Sequence, residues 1–391
     1  MAVDRDGAHD GSDQLVEGNT GPNAPRRSAA EWASIGFPLL ALATLAVVWG
    51  RTPPVAIEII IVIPLAGAVL AAVHHAEVVA HRVGEPFGSL ILAVAVTLIE
   101  VGLIVSLMVS GGDDTSSLAR DTVFAAVMIT SNGIFGLTLL IGALRQRVAV
   151  FNPEGTGAAL STVVTLTTVS LVLPAFTRSE PGPVFSASQL VFAALASLAL
   201  YVVFVVVQNV RHVEYFLPPD DADPVAGEAE DRSGFAPHPS GRTALASLGL
   251  LLAALVGVVG LAKVESHPIE SAVRSMGFPP AFVGVIIAVL VLAPETLAAA
   301  RHALRDRVQI GVNLALGSAI ASVGLTIPAI AFASIWLSGP LTLGLGGLQI
   351  ALLALTAGVG VLTVMPGRAT LMQASVHLWI CAAFVLLAAK P

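Results

Sequence analysis

The chain has 391 residues, 55% of them hydrophobic and only 12% charged, with a formal net charge of −7. Soluble domains carry roughly 25% charged residues, so this composition excludes a water-soluble globule. Its mean hydropathy of +0.87 and a single cysteine, Cys381, exclude an internal disulfide framework and any cysteine-based zinc site as well.

Residues 1–34 are polar, lack the short apolar core of a signal peptide, and read as a disordered cytoplasmic tail. Eleven apolar runs follow, at about 35–50, 55–73, 86–109, 122–143, 157–175, 185–210, 243–262, 279–303, 308–336, 341–365 and 371–389. A helix of about 20 such residues crosses a hydrocarbon core of about 30 Å, so the expected fold is an all-α polytopic membrane protein in a lipid bilayer. The longest break, Arg211–Arg242, is rich in Pro, Gly and acid and reads as a solvated cytoplasmic linker. It separates a first transmembrane half, 35–210, from a second, 243–391. With the N-terminus inside, thirteen Lys/Arg fall on the cytoplasmic side and six outside, the bias expected of a plasma-membrane protein.

Two residues stand out because their surroundings are wrong for them. Glu100 sits alone in "LAVAVTLIEVGLIVSLM", and Glu295 in "IAVLVLAPETLAAARHAL" repeats the pattern. Aligning the glutamates matches Ala93 to Ala288, Val94 to Val289 and Val96 to Val291, and an Arg-Asp pair follows each, Arg120-Asp121 and Arg305-Asp306. By span count the two segments run in opposite directions, the mark of an inverted repeat whose copies meet near the midplane to form a transport site. Pro294, just before Glu295, frees backbone groups that are tolerated only beside a cavity.

A charged acid at the bilayer centre costs several kcal/mol, and burial favours the protonated form of a carboxyl. A hard cation such as Ca²⁺ prefers carboxylate oxygens and restores the ionised form. Two carboxylates facing one Ca²⁺ sum to zero charge, as do the same groups holding two protons. A site that is cheap to move when loaded with either ligand and costly when bare is an exchanger of cation for proton.

The residues "GEPFGSLILAVAVTLIE" (Gly84–Glu100) and "ETLAAARHALRDRVQIGVNLALGSAIASVGLTIP" (Glu295–Pro328) resemble the two α-repeats of the cation/calcium exchanger superfamily. The resemblance is to its bacterial ChaA-type calcium/proton antiporters and extends over roughly 35–389, with repeats at about 84–143 and 279–336. It implies a ten- or eleven-helix inner-membrane exchanger that moves Ca²⁺, and often Na⁺ or K⁺, against protons, with Glu100 and Glu295 binding both. Where many members carry Gly-Asn before each glutamate, this chain has Val96-Thr97 and Val291-Leu292, and Ala321 replaces a common glutamine. Fewer amide oxygens favour broader use of Na⁺ or K⁺.

Further oxygen ligands are sought in the same repeats. Ser131 and Asn132 in "MITSNGIFG", and Asn313 and Ser318 in "VNLALGSAI", complete a cation shell or simply bond neighbouring helices. Thr97 lies one turn before Glu100 on the same face. The segment "HHAEVVAH" offers His74, His75, Glu77 and His81, without the His-Glu-x-x-His of zinc enzymes. It reads as a basic loop or, with Glu85, as a regulatory or proton-sensing element, since histidine titrates near neutral pH. No enzyme chemistry is expected, because no aspartate and no Ser/His pair lies at membrane depth. No cofactor and no nucleic acid is expected; the partners are inorganic cations, protons and lipid. The alternative function is a cation channel of similar architecture without proton coupling.

Overall fold

The computed structural model describes residues 29–51, 53–84, 87–110, 116–219, 239–336 and 341–391. Glu85 and most of the acidic linker therefore lie outside the described residues. Eleven helices among them are long and apolar enough to cross a membrane, numbered here in chain order. They are α1 (Ala29–Val48), α2 (Val55–Val83), α3 (Phe87–Ser110), α4 (Leu118–Gln146), α5 (Pro153–Ala175), α6 (Ala187–Arg211), α7 (Gly241–Ser275), α8 (Phe282–Leu304), α9 (Val308–Ala333), α10 (Gly347–Val364) and α11 (Leu371–Ala389). The chain is a multi-pass membrane protein.

Two helices run past their apolar stretches. α2 has 29 residues and α7 has 35, about 44 and 52 Å at 1.5 Å per residue, more than the membrane needs. The excess carries polar residues, His74 to Arg82 on α2 and Lys263 to Arg274 on α7. The histidine-rich segment is thus helical, not a loop: the helix continues until Gly84, whose φ of 78° ends it.

The architecture is an inverted repeat with one extra helix. After α1, five helices (α2–α6) are followed by five more (α7–α11). An odd number of crossings makes the second set begin on the opposite face. The copies interlock reciprocally, α3 packing on α9 and α8 on α4. Gly284 permits the second crossing, since a Cβ there would lie 2.8 Å from the Asp121–Thr122 backbone. Two small antiparallel pairings repeat the symmetry. Strand β1 (Val148–Val150), between α4 and α5, pairs with β2 (Arg368–Thr370), between α10 and α11. On the other face Val184, between α5 and α6, bridges Thr342, between α9 and α10. Exchanging the repeats exchanges the two pairings.

The buried apolar side chains form two clusters. One joins α1, α2, α3 and α7 with part of α8; the other joins α4–α6 and α8–α11. The site lies at the seam between them.

Candidate functional site

Glu100 lies midway along α3 and Glu295 midway along α8, 2% and 8% exposed. Both are set among apolar residues because their helices are apolar on nearly every face. Neither takes part in an ion pair: the pairs among the described residues are Arg120–Asp121, Arg145–Asp306 and His212–Glu214. One oxygen of each, Glu100 Oε1 and Glu295 Oε2, is buried without a hydrogen-bond partner. The other oxygen of Glu100, Oε2, accepts a hydrogen bond from the Ser322 hydroxyl at 3.1 Å. Buried carboxylates with open acceptor capacity are uncommon, because an unmet acceptor costs about 1–3 kcal/mol.

A cavity of about 410 Å³ lies between α2, α3, α6, α8 and α9. Glu295, Thr97, Ser318 and Ser322 line its deep part, while Glu77, Gln208 and Asn313 line it near the ends of α2, α6 and α9. Those ends share one membrane face, so the cavity runs from that face towards midmembrane. Pro294 also lines it, as expected where a helix gives up a backbone donor.

Of the residues singled out from sequence, the structure brings Glu295, Thr97, Ser318, Asn313 and Glu77 to this cavity. Glu100 sits just behind it, reached through Ser322. Asn313 reaches the wall with its amide already engaged. Its Oδ1 accepts from Gln309 at 2.7 Å and its Nδ2 donates to the Phe216 carbonyl at 2.7 Å. Ser131 and Asn132 lie elsewhere, in a π-helical turn of α4, Ile129–Ile134. Asn132 donates to Thr356 Oγ1 at 3.0 Å, and its Oδ1 meets His377 Nδ1 at 3.1 Å. His377 Nε2 in turn meets Thr363 Oγ1 at 3.2 Å. That network joins α4, α10 and α11 and engages both the nitrogen and the oxygen of the Asn132 amide. Ser131 is buried with its hydroxyl unpartnered. The histidine cluster separates too: His75 is buried against the Ser34 carbonyl of α1 at 2.9 Å, whereas His74 and His81 are exposed.

Ser322 escaped the sequence reading. It follows Ser318 by four residues, and Thr326 follows it by four more, so the three hydroxyls share one face of α9. That spacing was the available signal. No group of three or more His, Cys, Asp or Glu gathers among the described residues. A cation here would be held by two carboxylates with hydroxyl oxygens, a hard-ligand set.

Comparison with known proteins follows the same lines. The family model for sodium/calcium exchanger proteins matches residues 54–210 and 246–390. The chain is 47% identical over 327 residues to y4hA of Sinorhizobium fredii, a protein named for ionic transport, covering 84% of this chain and 87% of that one. It is 32% identical over 362 residues to the sodium-potassium/proton antiporter ChaA of Escherichia coli, covering 90% and 95%. The crystal structure of an H⁺/Ca²⁺ exchanger, CAX, superposes with a TM-score of 0.65 over 91% of each chain at 16% identity, a likeness of fold.

Proposed function

The chain belongs to the sodium/calcium exchanger family, and from that premise we propose that it is a secondary active antiporter exchanging Ca²⁺, Na⁺ or K⁺ for protons. Glu100 and Glu295 bind cation and proton in competition, with Thr97, Ser318 and Ser322 as neutral oxygen ligands. The observation that carries this reading is Glu295, buried with an unpartnered oxygen on the wall of a cavity that starts at one membrane face. The bare, doubly charged pair is the costly state in a low-dielectric site. Two protons, one divalent cation, two monovalent cations, or one monovalent cation with one proton removes that charge, so the carboxyls pass between the two faces only when loaded. The relative named for sodium, potassium and protons supports breadth among the cations.

The protein sits in the bacterial inner membrane with its N-terminus in the cytoplasm, so the cavity described above faces the cytoplasm. Its halves, 35–210 and 243–391, carry the repeats at about 84–143 and 279–336, joined by the acidic linker.

The test uses everted membrane vesicles holding an imposed pH gradient, with Ca²⁺, Na⁺ and K⁺ added separately and proton movement read by fluorescence dequenching. The wild type collapses the gradient on cation addition. Glu100→Gln and Glu295→Gln insert normally and lose proton-coupled flux. Cation movement that leaves the gradient intact would identify a channel, and robust exchange surviving both substitutions would place the site elsewhere.

A further inference from the structure

The Glu77 segment has a second copy on the other side of the membrane. His74, Glu77, His81, Gly84 and Pro86 recur at identical spacing as His267, Glu270, Arg274, Gly277 and Pro279, immediately ahead of the second repeat. The structure preserves the likeness. α2 and α7 each end beside the glycine of this pattern, and Gly84 and Gly277 take positive φ of 78° and 75°, a conformation that excludes most other residues.

The two glutamates occupy matching helical surroundings of different width. Glu77 lines the cavity of about 410 Å³ that it shares with Glu295. Glu270 lines a pocket of only about 20 Å³, together with Ser117, Asp121, Arg274 and Val283. Exchanging the repeats turns α2, α3 and α9 into α7, α8 and α4, and those are the three helices around Glu270. The narrow pocket is the surroundings of Glu270 alone; beside it on the same face a separate cavity of about 300 Å³ is lined by Arg120, Asp121, Val285 and Phe384.

We propose that Glu77 and Glu270 are paired mouth carboxylates that capture the hydrated cation in turn, Glu77 delivering it to Glu295 when this cavity is open and Glu270 to Glu100 when the opposite one is. The inference rests on the antiport reading above. An acid in contact with water keeps its charge cheaply, so it gathers cations without holding them, at about fivefold in local concentration per unit charge. His74 and His81 share the exposed end of α2 with Glu77, and Arg274 and Asp121 border Glu270. Each mouth therefore mixes acid with base and releases what it collects.

The test separates the two sides. Right-side-out and everted vesicles carrying wild type, Glu77→Gln or Glu270→Gln are titrated with external Ca²⁺, and in separate assays with Na⁺, while proton counter-movement is recorded. Both sites are water-accessible helix ends, so the isosteric changes leave insertion intact, checked by membrane yield. E77Q is expected to raise the half-saturating concentration about fivefold for Na⁺ and about 25-fold for Ca²⁺ from one side only, and E270Q from the other side only, with exchange persisting at saturating cation. Effects of both variants from the same side, no effect of either, or complete loss of exchange would overturn the proposal. Cation flux without proton movement in the wild type would instead overturn the antiport reading itself.

Discussion

Replacing Ser322 with alanine removes the hydrogen bond donated to Glu100 together with the hydroxyl oxygen proposed above as a cation ligand. The hydroxyl lies 3.1 Å from Glu100 Oε2, with both residues buried, so water does not compensate for its loss. A hydrogen bond to a charged group contributes about 1.5–3 kcal/mol, and each 1.4 kcal/mol is a factor of ten in affinity. The bond favours the ionised carboxylate, which is the form that binds a cation. At fixed pH, Ser322→Ala should therefore raise the half-saturating cation concentration roughly ten- to a hundredfold. Ser322→Thr keeps the donor and should stay within about threefold of wild type. The measurement is cation-driven collapse of a pH gradient in everted vesicles, titrated at one pH for all three proteins. An alanine variant with wild-type half-saturation would refute the reasoning, as would a threonine variant impaired as badly as the alanine one.

Two further outcomes follow from polar contacts outside the cavity. Asn132→Ala strands His377 Nδ1 in a buried site and should cost about 1–3 kcal/mol of stability, seen as a lower melting temperature in detergent with the cation half-saturation unmoved; a changed half-saturation at unchanged stability would make Asn132 a ligand after all. Asp306 sits in the connection between α8 and α9, where paired hydrogen bonds from Arg145 at 2.8 and 3.0 Å hold its carboxyl below the ordinary range. The stabilisation is fully present above about pH 4 and is lost as pH falls through the lowered value, so Asp306→Asn should melt slightly below wild type at neutral pH and converge with it in acid; a gap that widens in acid would show the sign to be wrong.

The membrane spans and the two glutamates were legible because lipid imposes a strong rule. An apolar run has one use at that length, and a lone acid inside it has to be explained. The rule stops at the headgroups, which is why α2 and α7 were underestimated: beyond the bilayer a polar helix and a polar loop have the same hydropathy. Ser322 was hidden for a different reason. Its helix, α9, is buried on nearly every side, so hydrophobic periodicity selects no face, and only the spacing of Ser318, Ser322 and Thr326 remains. Asn132 and Asn313 illustrate a third limit. Each is a sound oxygen ligand by type, yet Asn132 is engaged by Thr356 and His377, both remote in sequence, and Asn313 by Gln309 one turn earlier and by the remote Phe216 carbonyl. Whether an amide is free or engaged is a fact of tertiary packing, and residue type does not carry it.

The extra helix α1 ties the two mouths together. It has no counterpart in the repeat, and it packs on both α2 and α7, one helix from each copy. His75 of α2 is tied to the Ser34 carbonyl of α1. On the α7 side, Gly257 admits α1 so closely that a Cβ there would lie 2.8 Å from Ala41 Cβ. Glu77 and Glu270 thus ride on helices bound into one close-packed body, at its two opposite ends. A close-packed body shifts as a unit. On the proposed antiport reading, a tilt away from α9 at the Glu77 end would bring this body towards α4 at the Glu270 end. The Glu77 end opens on a cavity of about 410 Å³, whereas Glu270 itself lines only about 20 Å³ beside a separate cavity of about 300 Å³. An arrangement with both ends wide would hydrate both carboxyls at once and pass ions without exchange, and the shared attachment to α1 works against it.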